Sequence, residues 1–363
     1  MPQLDGLRAL AVLAVFFDHW NIAERRFFRW IEWGHLGVWL FFVLSGFLIT
    51  DILLKSKDQI DAGHAGTWNS ARIFYVRRFL RILPIYYLTL FVTALGISDI
   101  RRLFLWHVTY TTDFWTALYP GAYPYGIHFW TLGVEEQFYL AWPWLILLTP
   151  KRWLARVATF SIAIGVAYRA AYQGGALGHT AVAALGLPLL GNVDKFAFGA
   201  LLAVLGRSPN SLSRTRLVRL GLWIGLPLVL AFEALYARNQ SSRLVAMFSS
   251  AAAGLFFTWL IGGASQGFRG PGGWLLQSRA LVYPGKISYG LYLFHPFVPL
   301  LFFRLHVPLA ESVWIRFLIY GTTTLVIGSA SWYLFEGPIN GLKRFFPYPS
   351  SGGRGSGRTA ITE

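Results

Sequence analysis

The chain has 363 residues, of which 55% are hydrophobic and only 13% are charged, and its formal net charge is +16. Soluble domains carry about 25% charged residues, so this chain cannot cover its apolar surface against water and much of it must be solvated by lipid. The basic balance does not indicate a nucleic-acid partner, because the Lys and Arg cluster between apolar runs, as orientation signals do. The lack of cysteine excludes disulfides, thiolate metal sites and a cysteine acyl-enzyme.

Ten apolar runs approach the length of about 20 residues that a membrane-spanning helix needs. They lie near residues 6–22, 34–54, 79–98, 128–149, 154–173, 187–206, 217–237, 243–263, 286–305 and 312–335. The first run has no small-residue cleavage site, so we interpret it as a retained span rather than a signal peptide. The sequence therefore predicts an all-α, polytopic membrane helical bundle of about ten transmembrane helices.

The segment 103–119 is also apolar, but it contains His107, Asp113 and several Thr, which favours an interfacial or re-entrant segment over an eleventh span. Ten spans with a cytoplasmic N-terminus place most of the 32 Lys and Arg on the cytoplasmic side, as the positive-inside rule requires. An eleventh span would move Lys151, Arg152 and the later basic clusters outside. We therefore expect both termini in the cytoplasm, although whether 103–119 is re-entrant or spanning stays open.

Two stretches lie outside this bundle. The loop that carries Arg25, Arg26 and Arg29 is left on the outer side, where contact with lipid headgroups is favoured over contact with an anionic acceptor. One domain is expected over 1–340, and 341–363 is predicted to be a disordered basic cytoplasmic tail because it is rich in Gly, Ser and Arg.

Ionisable side chains inside the spans are the candidates for function, since they are costly in lipid. Arg8 and His19 are 11 residues apart, so they share one helix face and lie about 16 Å apart along the axis. An imidazole can act as a general base near neutral pH, whereas a plain interfacial histidine is the alternative reading of His19.

Glu135 and Glu136 are adjacent carboxylates in the fourth predicted span, with Gln137 beside them. Packing alone does not explain such a pair in an apolar helix. The predicted topology puts both glutamates in the outer third of the span, at the depth of His19. One of them, with Glu136 preferred, is therefore expected to face His19, hold its tautomer and stabilise the imidazolium during catalysis.

Arg77, Arg78 and Arg81 open the third predicted span, and Arg78 and Arg81 share a helix face. Forked guanidinium hydrogen bonds recognise phosphates, although composition alone favours ordinary inner-surface anchors. Ser45, next to Gly46, is read as a packing position, because the sequence places no activating base beside it.

Two further features are left without a role. Asp194 and Lys195 could neutralise each other, and His295 lies in the middle of a span. No zinc spacing, P-loop or dinucleotide fingerprint occurs, so no metal site or permanently bound cofactor is expected.

Seven segments, in this order, resemble the acyltransferase 3 family of integral membrane proteins. They include the Arg-x10-His pair of Arg8 and His19 and the Arg-x-x-Arg pair of Arg78 and Arg81. The other matching segments are residues 4–9, 41–49, 130–139, 286–295 and 336–338. The resemblance covers about residues 2 to 340. Gly290 departs from it, because a Ser is common at that position.

The resemblance implies a ten-helix enzyme that transfers an acyl group, most often acetyl, from acyl-coenzyme A to a hydroxyl, usually on a carbohydrate or glycolipid acceptor. It also implies the bacterial inner membrane as location. We expect Arg8, Arg78 and Arg81 to bind the phosphates of acetyl-CoA, and His19 to act as the base with Glu136 or Glu135. Some members carry a C-terminal esterase-like domain. Since only about 28 residues follow the last predicted span, direct acylation of the acceptor is expected.

A transporter or flippase is the alternative function, because charged residues also line permeation paths. Paired, repeat-related broken helices would favour it, and the sequence shows no such pairing. A membrane scaffold would leave the Arg, His and Glu within the spans unexplained.

Overall fold

Helices form all the regular structure that is described for this chain. The structure is a computed structural model, and it describes residues 1–20, 22, 30–177, 186, 188–207, 211–309 and 311–348, with no β-strand among them. Six helices are long and apolar enough to cross a membrane, namely Trp33–Asp61, Thr67–Gly96, Lys151–Gln173, Leu212–Arg238, Arg243–Gln266 and Val313–Phe345. The all-α, multi-pass fold is confirmed, whereas ten spans and cytoplasmic termini stay predictions.

The helices of the N-terminal half follow the predicted runs. They are α1 Pro2–His19, α2 Trp33–Asp61, α3 Thr67–Gly96, α4 Ser98–Arg102, α5 Phe104–Val108, α6 Thr112–Leu118, α7 Phe129–Leu148 and α8 Lys151–Gln173. Helix α2 extends well beyond its apolar run at its C-terminal end, and α3 does so at its N-terminal end. Hydropathy marks the lipid-exposed length of a helix and not the residue at which the helix ends.

The helices of the C-terminal half are more interrupted. They are α9 Val193–Gly206, α10 Ser211–Leu220, α11 Leu226–Arg238, α12 Arg243–Gln266, α13 Pro271–Gln277, α14 Arg279–Lys286, α15 Ser288–Phe294, α16 Phe297–Arg304, α17 Val313–Ser331 and α18 Gly337–Gly341. Short π-helical turns at Gly221–Gly225 and Trp332–Glu336 join α10 to α11 and α17 to α18. The predicted span 286–305 is therefore broken into short helices, and Pro296, which lacks a backbone N–H, lies at the break between α15 and α16.

The segment 103–119 is not one continuous helix. Helices α4, α5 and α6 fold back against α3 and α7. Tyr86 of α3 donates a hydrogen bond to the His107 carbonyl at 2.7 Å, and Gln137 of α7 donates one to Asp113 at 2.7 Å. These contacts hold the segment against the bundle, so it does not cross a membrane as a single helix.

The centre of the fold is the close packing of α2 against α1, α7 and α9. A Cβ atom on Gly46 would collide with the Phe196 carbonyl, and one on Gly199 would collide with the Val43 carbonyl. Helices α2 and α9 therefore meet backbone to backbone, the approach that small residues permit inside membranes. The predicted close approach at Gly46 is confirmed, and it fixes the position of Ser45 next to it.

Regular structure extends past residue 340, where the predicted domain ends. Regular structure continues through α18 and a 3₁₀ helix at Leu342–Phe345. Arg77 of α3 donates hydrogen bonds to the carbonyls of Lys343 at 2.8 Å and Phe346 at 2.9 Å. The prediction of disorder from residue 341 is therefore wrong for its first residues. Residues 349–363, like Arg25, Arg26 and Arg29, lie outside the described residues.

Candidate active site

The three arginines that were predicted to bind phosphates line one pocket, which we call the arginine pocket. Arg8 comes from α1, and Arg78 and Arg81 come from the N-terminal half of α3. The other polar lining residues are Ser45, Thr131, Glu135, Tyr139, Ser288, Tyr289 and Tyr292. Five helices, α1, α2, α3, α7 and α15, thus line the pocket, and two of them, α1 and α3, supply its three guanidinium groups.

The guanidinium groups of Arg78 and Arg81 are available for an anion. Arg8 pairs with Asp5 one turn earlier, at 2.9 Å between Nη1 and Oδ1. Among the described residues, neither Arg78 nor Arg81 forms an ion pair, and Arg78 lies 4.9 Å from the centroid of the Tyr139 ring. Arginines held without a carboxylate partner suit a phosphate ligand, which accepts forked hydrogen bonds.

Glu135 also lies in the arginine pocket. Its Oε1 accepts a hydrogen bond from Ser45 Oγ at 2.6 Å, and Ser45 Oγ lies 3.1 Å from the Tyr139 hydroxyl. The carboxylate gives the pocket one negative charge beside its three positive ones. Ser45, which the sequence assigned to packing alone, therefore belongs to the polar network of this pocket.

A pair of histidines lies at the opposite end of α1. His19 Nδ1 is 2.7 Å from His295 Nε2, and His295 Nδ1 is 2.6 Å from the Tyr292 carbonyl oxygen. A carbonyl oxygen only accepts, so Nδ1 of His295 carries the proton. His295 is fully buried, which favours its neutral form. Its Nε2 then accepts from His19 Nδ1–H, which leaves the lone pair of His19 on Nε2.

His295 is held firmly, whereas His19 is accessible. Trp20 donates from Nε1 to the His295 carbonyl at 3.3 Å, and the Phe16 ring packs 5.1 Å from the His295 ring. His19 is exposed and lines a small surface cavity with Tyr123. The exposed Nε2 of a fixed imidazole is the arrangement that general base catalysis needs.

The structure does not bring Glu135 or Glu136 into contact with His19, although the sequence predicts this for one of them. His128, just before α7, already lies beside His295, with ring centroids 5.6 Å apart. Glu135 follows seven residues later, about 10 Å further along the helix, and it reaches the arginine pocket instead. The predicted span began within one residue of the start of α7, but the depth of His19 was matched to the wrong turn of that helix. In the described structure, neither glutamate bonds to His19.

Two site residues were missed by sequence reasoning. His295 carried a visible signal, since it ends one of the motifs that resemble the family, but its partner is 276 residues away in the chain. No signal in the sequence marked Ser45 beyond its place in the Phe-rich motif, because the carboxylate that contacts it comes from another helix, α7. Within the described part of the chain, no cluster of three or more His, Asp or Glu could hold a metal ion.

A family model described as an acyltransferase domain, acyltransferase 3, matches residues 1–333. The chain belongs to the acyltransferase 3 family. Its relatives include the peptidoglycan O-acetyltransferase OatA of Listeria monocytogenes, 33% identical over 166 residues, which are 42% of this chain and 25% of OatA.

Two further relatives match a similar part of the chain. The "putative peptidoglycan O-acetyltransferase YrhL" of Bacillus subtilis is 36% identical over 41% of this chain and 24% of its own length. The "putative O-acetyltransferase SAS0844" of Staphylococcus aureus is 36% identical over 42% of this chain and 26% of its own. The chain thus matches about a quarter of the length of these curated relatives. No solved structure matches it.

Proposed function

We propose that this acyltransferase 3 protein is a membrane O-acyltransferase that transfers an acetyl group from acetyl-CoA to a hydroxyl of a carbohydrate or glycolipid acceptor. One observation carries the proposal: a pocket of three arginines and an accessible, oriented imidazole lie at opposite ends of the same helix. The first suits the phosphates of the donor, and the second suits activation of an acceptor hydroxyl. The three relatives that are named O-acetyltransferases support the same reaction type.

The donor would enter with its phosphates at Arg78, Arg81 and Arg8 and extend its thioester towards His19. Tyr292 links the two ends, because its ring lines the arginine pocket and its carbonyl oxygen positions His295. The arginine pocket encloses about 80 Å³ in this structure. Side chains along the path must therefore move as the donor binds.

The acyl transfer would proceed by base catalysis at His19. Its Nε2 takes the proton of the acceptor hydroxyl as the oxygen attacks the thioester carbonyl carbon. The tetrahedral intermediate then collapses, the C–S bond breaks, and the leaving thiolate takes the proton back from His19 Nε2. The products are the ester and free CoA. His295 Nε2 accepts a hydrogen bond from His19 Nδ1–H. This bond fixes the tautomer of His19 in which Nε2 is unprotonated before the reaction begins.

The acceptor is proposed to be a cell-envelope carbohydrate and the location the bacterial inner membrane, with both termini in the cytoplasm. This arrangement puts the arginine pocket, at the start of α1, on the side where acetyl-CoA is made. It puts His19 on the outer side, where envelope glycans are modified. Six helices able to span a membrane support the multi-pass location.

The test is acetyl transfer by the purified full-length protein in lipid nanodiscs. Acetyl-CoA labelled in its acetyl group is incubated with peptidoglycan fragments, other glycans and no acceptor, and label on the glycan is measured. We expect label in an alkali-labile ester on at least one glycan, and no transfer by His19→Ala. Label that stays on the donor with every glycan, while the protein moves a glycan or lipid-linked sugar across a bilayer, would overturn the proposal in favour of a transporter.

A further inference from the structure

A second, larger cavity lies at the His19 end of the bundle, and the residues that line it have no role in the reaction steps described above. It encloses about 480 Å³, within the range of sites that bind small molecules. It lies among the beginnings of α2, α9 and α12 and the end of α8. The residues that characterise it are Trp39, Trp130, Arg169, Lys195, Arg243 and Ser250. We call it the outer cavity.

The outer cavity adjoins His19 through the first turn of α2. A Cβ atom on Gly34 would lie 2.9 Å from the Asp18 carboxyl carbon, so the residues preceding His35 and His19 are in contact. His35 lines the cavity and stacks on Trp39, with ring centroids 5.6 Å apart. A ligand that contacts His35 in the cavity is therefore connected to the proposed base through the Gly34–Asp18 contact.

The inner wall of the cavity carries an excess of positive charge. Arg169 and Asp194 form a two-fold ion pair, with both N–O distances 2.8 Å, and Lys195 Nζ lies 3.3 Å from the same carboxylate. All three side chains are buried. The expected mutual neutralisation of Asp194 and Lys195 is therefore incomplete, because Arg169 adds a second cation. Buried charge that is not fully paired is costly, and an anionic ligand would balance it.

The rim adds further polar groups. Arg243 is exposed and lines the cavity, and Glu32, the acidic lining residue, lies 3.4 Å from His35 Nδ1. Ser250 is 4% exposed, and its Oγ has no hydrogen-bond partner among the described residues. Unpaired buried hydroxyls are uncommon in folded proteins, so Ser250 is available to bond a ligand.

Two indole rings complete the site. Trp39 and Trp130 line the same cavity, and Lys195 Nζ lies 5.8 Å from the Trp39 ring centroid. Indoles offer broad apolar faces against which the C–H faces of a sugar ring pack, while hydroxyls reach serine and amide groups. A free phosphate would need the cations but not the indoles.

We propose that the outer cavity binds an anionic sugar residue of the acceptor glycan. The sugar ring packs on Trp39 and Trp130, and its carboxylate or phosphate faces Arg169, Lys195 and Arg243. This inference rests on the proposed acyl transfer only for naming the ligand as the acceptor. The binding of an anionic sugar follows from the cavity alone.

The experiment measures both binding and transfer with matched glycans. The probes are an oligosaccharide of alternating glucuronate and N-acetylglucosamine, its neutral carboxyl-reduced counterpart, and N-acetylglucosamine 1-phosphate. Inorganic phosphate is the fourth probe, and it shows how much binding comes from the negative charge without a sugar ring. Binding to the wild type, Arg243→Gln and Arg238→Gln is measured by calorimetry in nanodiscs. Arg238 is the control, because it is an exposed arginine five residues away that does not line the cavity.

We expect the wild type to prefer the two anionic sugars over the neutral glycan and over inorganic phosphate. Arg243→Gln should weaken their binding about three- to tenfold, the size expected for one charged hydrogen bond at a partly exposed site, whereas Arg238→Gln should not. Equal binding of charged and neutral glycans, or equal effects of both variants, would overturn the proposal. If anionic sugars bind in the expected pattern but never receive an acetyl group, the cavity assignment stands and the proposed acyl transfer to these sugars fails.

Discussion

The two ends of α1 differ in their side chains: one contributes to the arginine pocket, and the other carries the His19–His295 pair. At the arginine pocket, two guanidinium groups form no ion pair among the described residues, so this end carries positive charge that an anionic ligand would balance. At the other end, His19 and His295 are joined by a hydrogen bond of 2.7 Å that is anchored on the Tyr292 carbonyl. This end fixes an orientation and a tautomer. The difference supports the proposal that the first end binds the donor and the second transfers a proton.

The largest effect is expected from removing the base. His19→Ala should lower kcat about 10²- to 10⁴-fold, because a placed imidazole contributes that much to proton transfer, while the KM for acetyl-CoA stays unchanged. The control is His64→Ala, an exposed histidine between α2 and α3. The measurement is acetyl transfer to a glycan. A near-normal kcat in His19→Ala would show that His19 is not the general base.

The partner of the base comes next. His295→Leu should lower kcat about ten- to a hundredfold, the usual cost of losing a group that orients a functional imidazole. His295→Gln, whose side-chain oxygen can accept from His19 Nδ1–H, should recover part of that loss. The measurement is the kcat of acetyl transfer for each variant, with folding checked by thermal melting in nanodiscs. Equal rates for the two variants would show that His295 only fills space.

The arginine pocket should respond in binding rather than rate. Arg78→Gln and Arg81→Gln should each raise the KM for acetyl-CoA about tenfold, since a hydrogen bond to a charged group is worth that much, with a smaller change in kcat. Arg72→Gln, an exposed residue of the same helix outside the pocket, is the control. An unchanged KM in both pocket variants would move the donor phosphates elsewhere.

The smallest effect is expected at Glu135, and its direction separates two readings. Glu135→Gln keeps the oxygen that accepts from Ser45 and removes a negative charge near the donor phosphates, so the KM for acetyl-CoA should fall about threefold. A carboxylate that supported His19 would instead lower kcat strongly when neutralised. Steady-state kinetics in both substrates distinguishes the two outcomes, and a hundredfold lower kcat would restore the original carboxylate assignment.

The local features of the site could be predicted from the sequence. Arg78 and Arg81 share a helix face because they are three residues apart. Arg8 and His19 share a face because their spacing is close to three whole turns, and the same spacing separates them along the axis of α1. Composition and hydropathy were enough for the all-α membrane fold. These conclusions depend only on neighbours along one helix.

The contacts between helices could not be predicted in the same way. Spacing within α7 says which residues share a face, but not how deep α7 lies beside α1. The glutamate pair, with Glu136 preferred, was therefore matched to His19, whereas Glu135 contacts Ser45. The contact between His295 and His19 could not be predicted for a second reason. The span that carries it is broken at Pro296, and hydropathy averages over such a break.

Binding of acetyl-CoA to His19→Ala and to Arg78→Gln tests the division of labour most directly. Equilibrium binding of labelled acetyl-CoA is measured for both variants and the wild type in nanodiscs, beside their transfer rates. We predict that His19→Ala binds the donor as tightly as the wild type and transfers almost nothing, whereas Arg78→Gln binds it about tenfold more weakly. Loss of donor binding in His19→Ala with normal binding in Arg78→Gln would contradict the account.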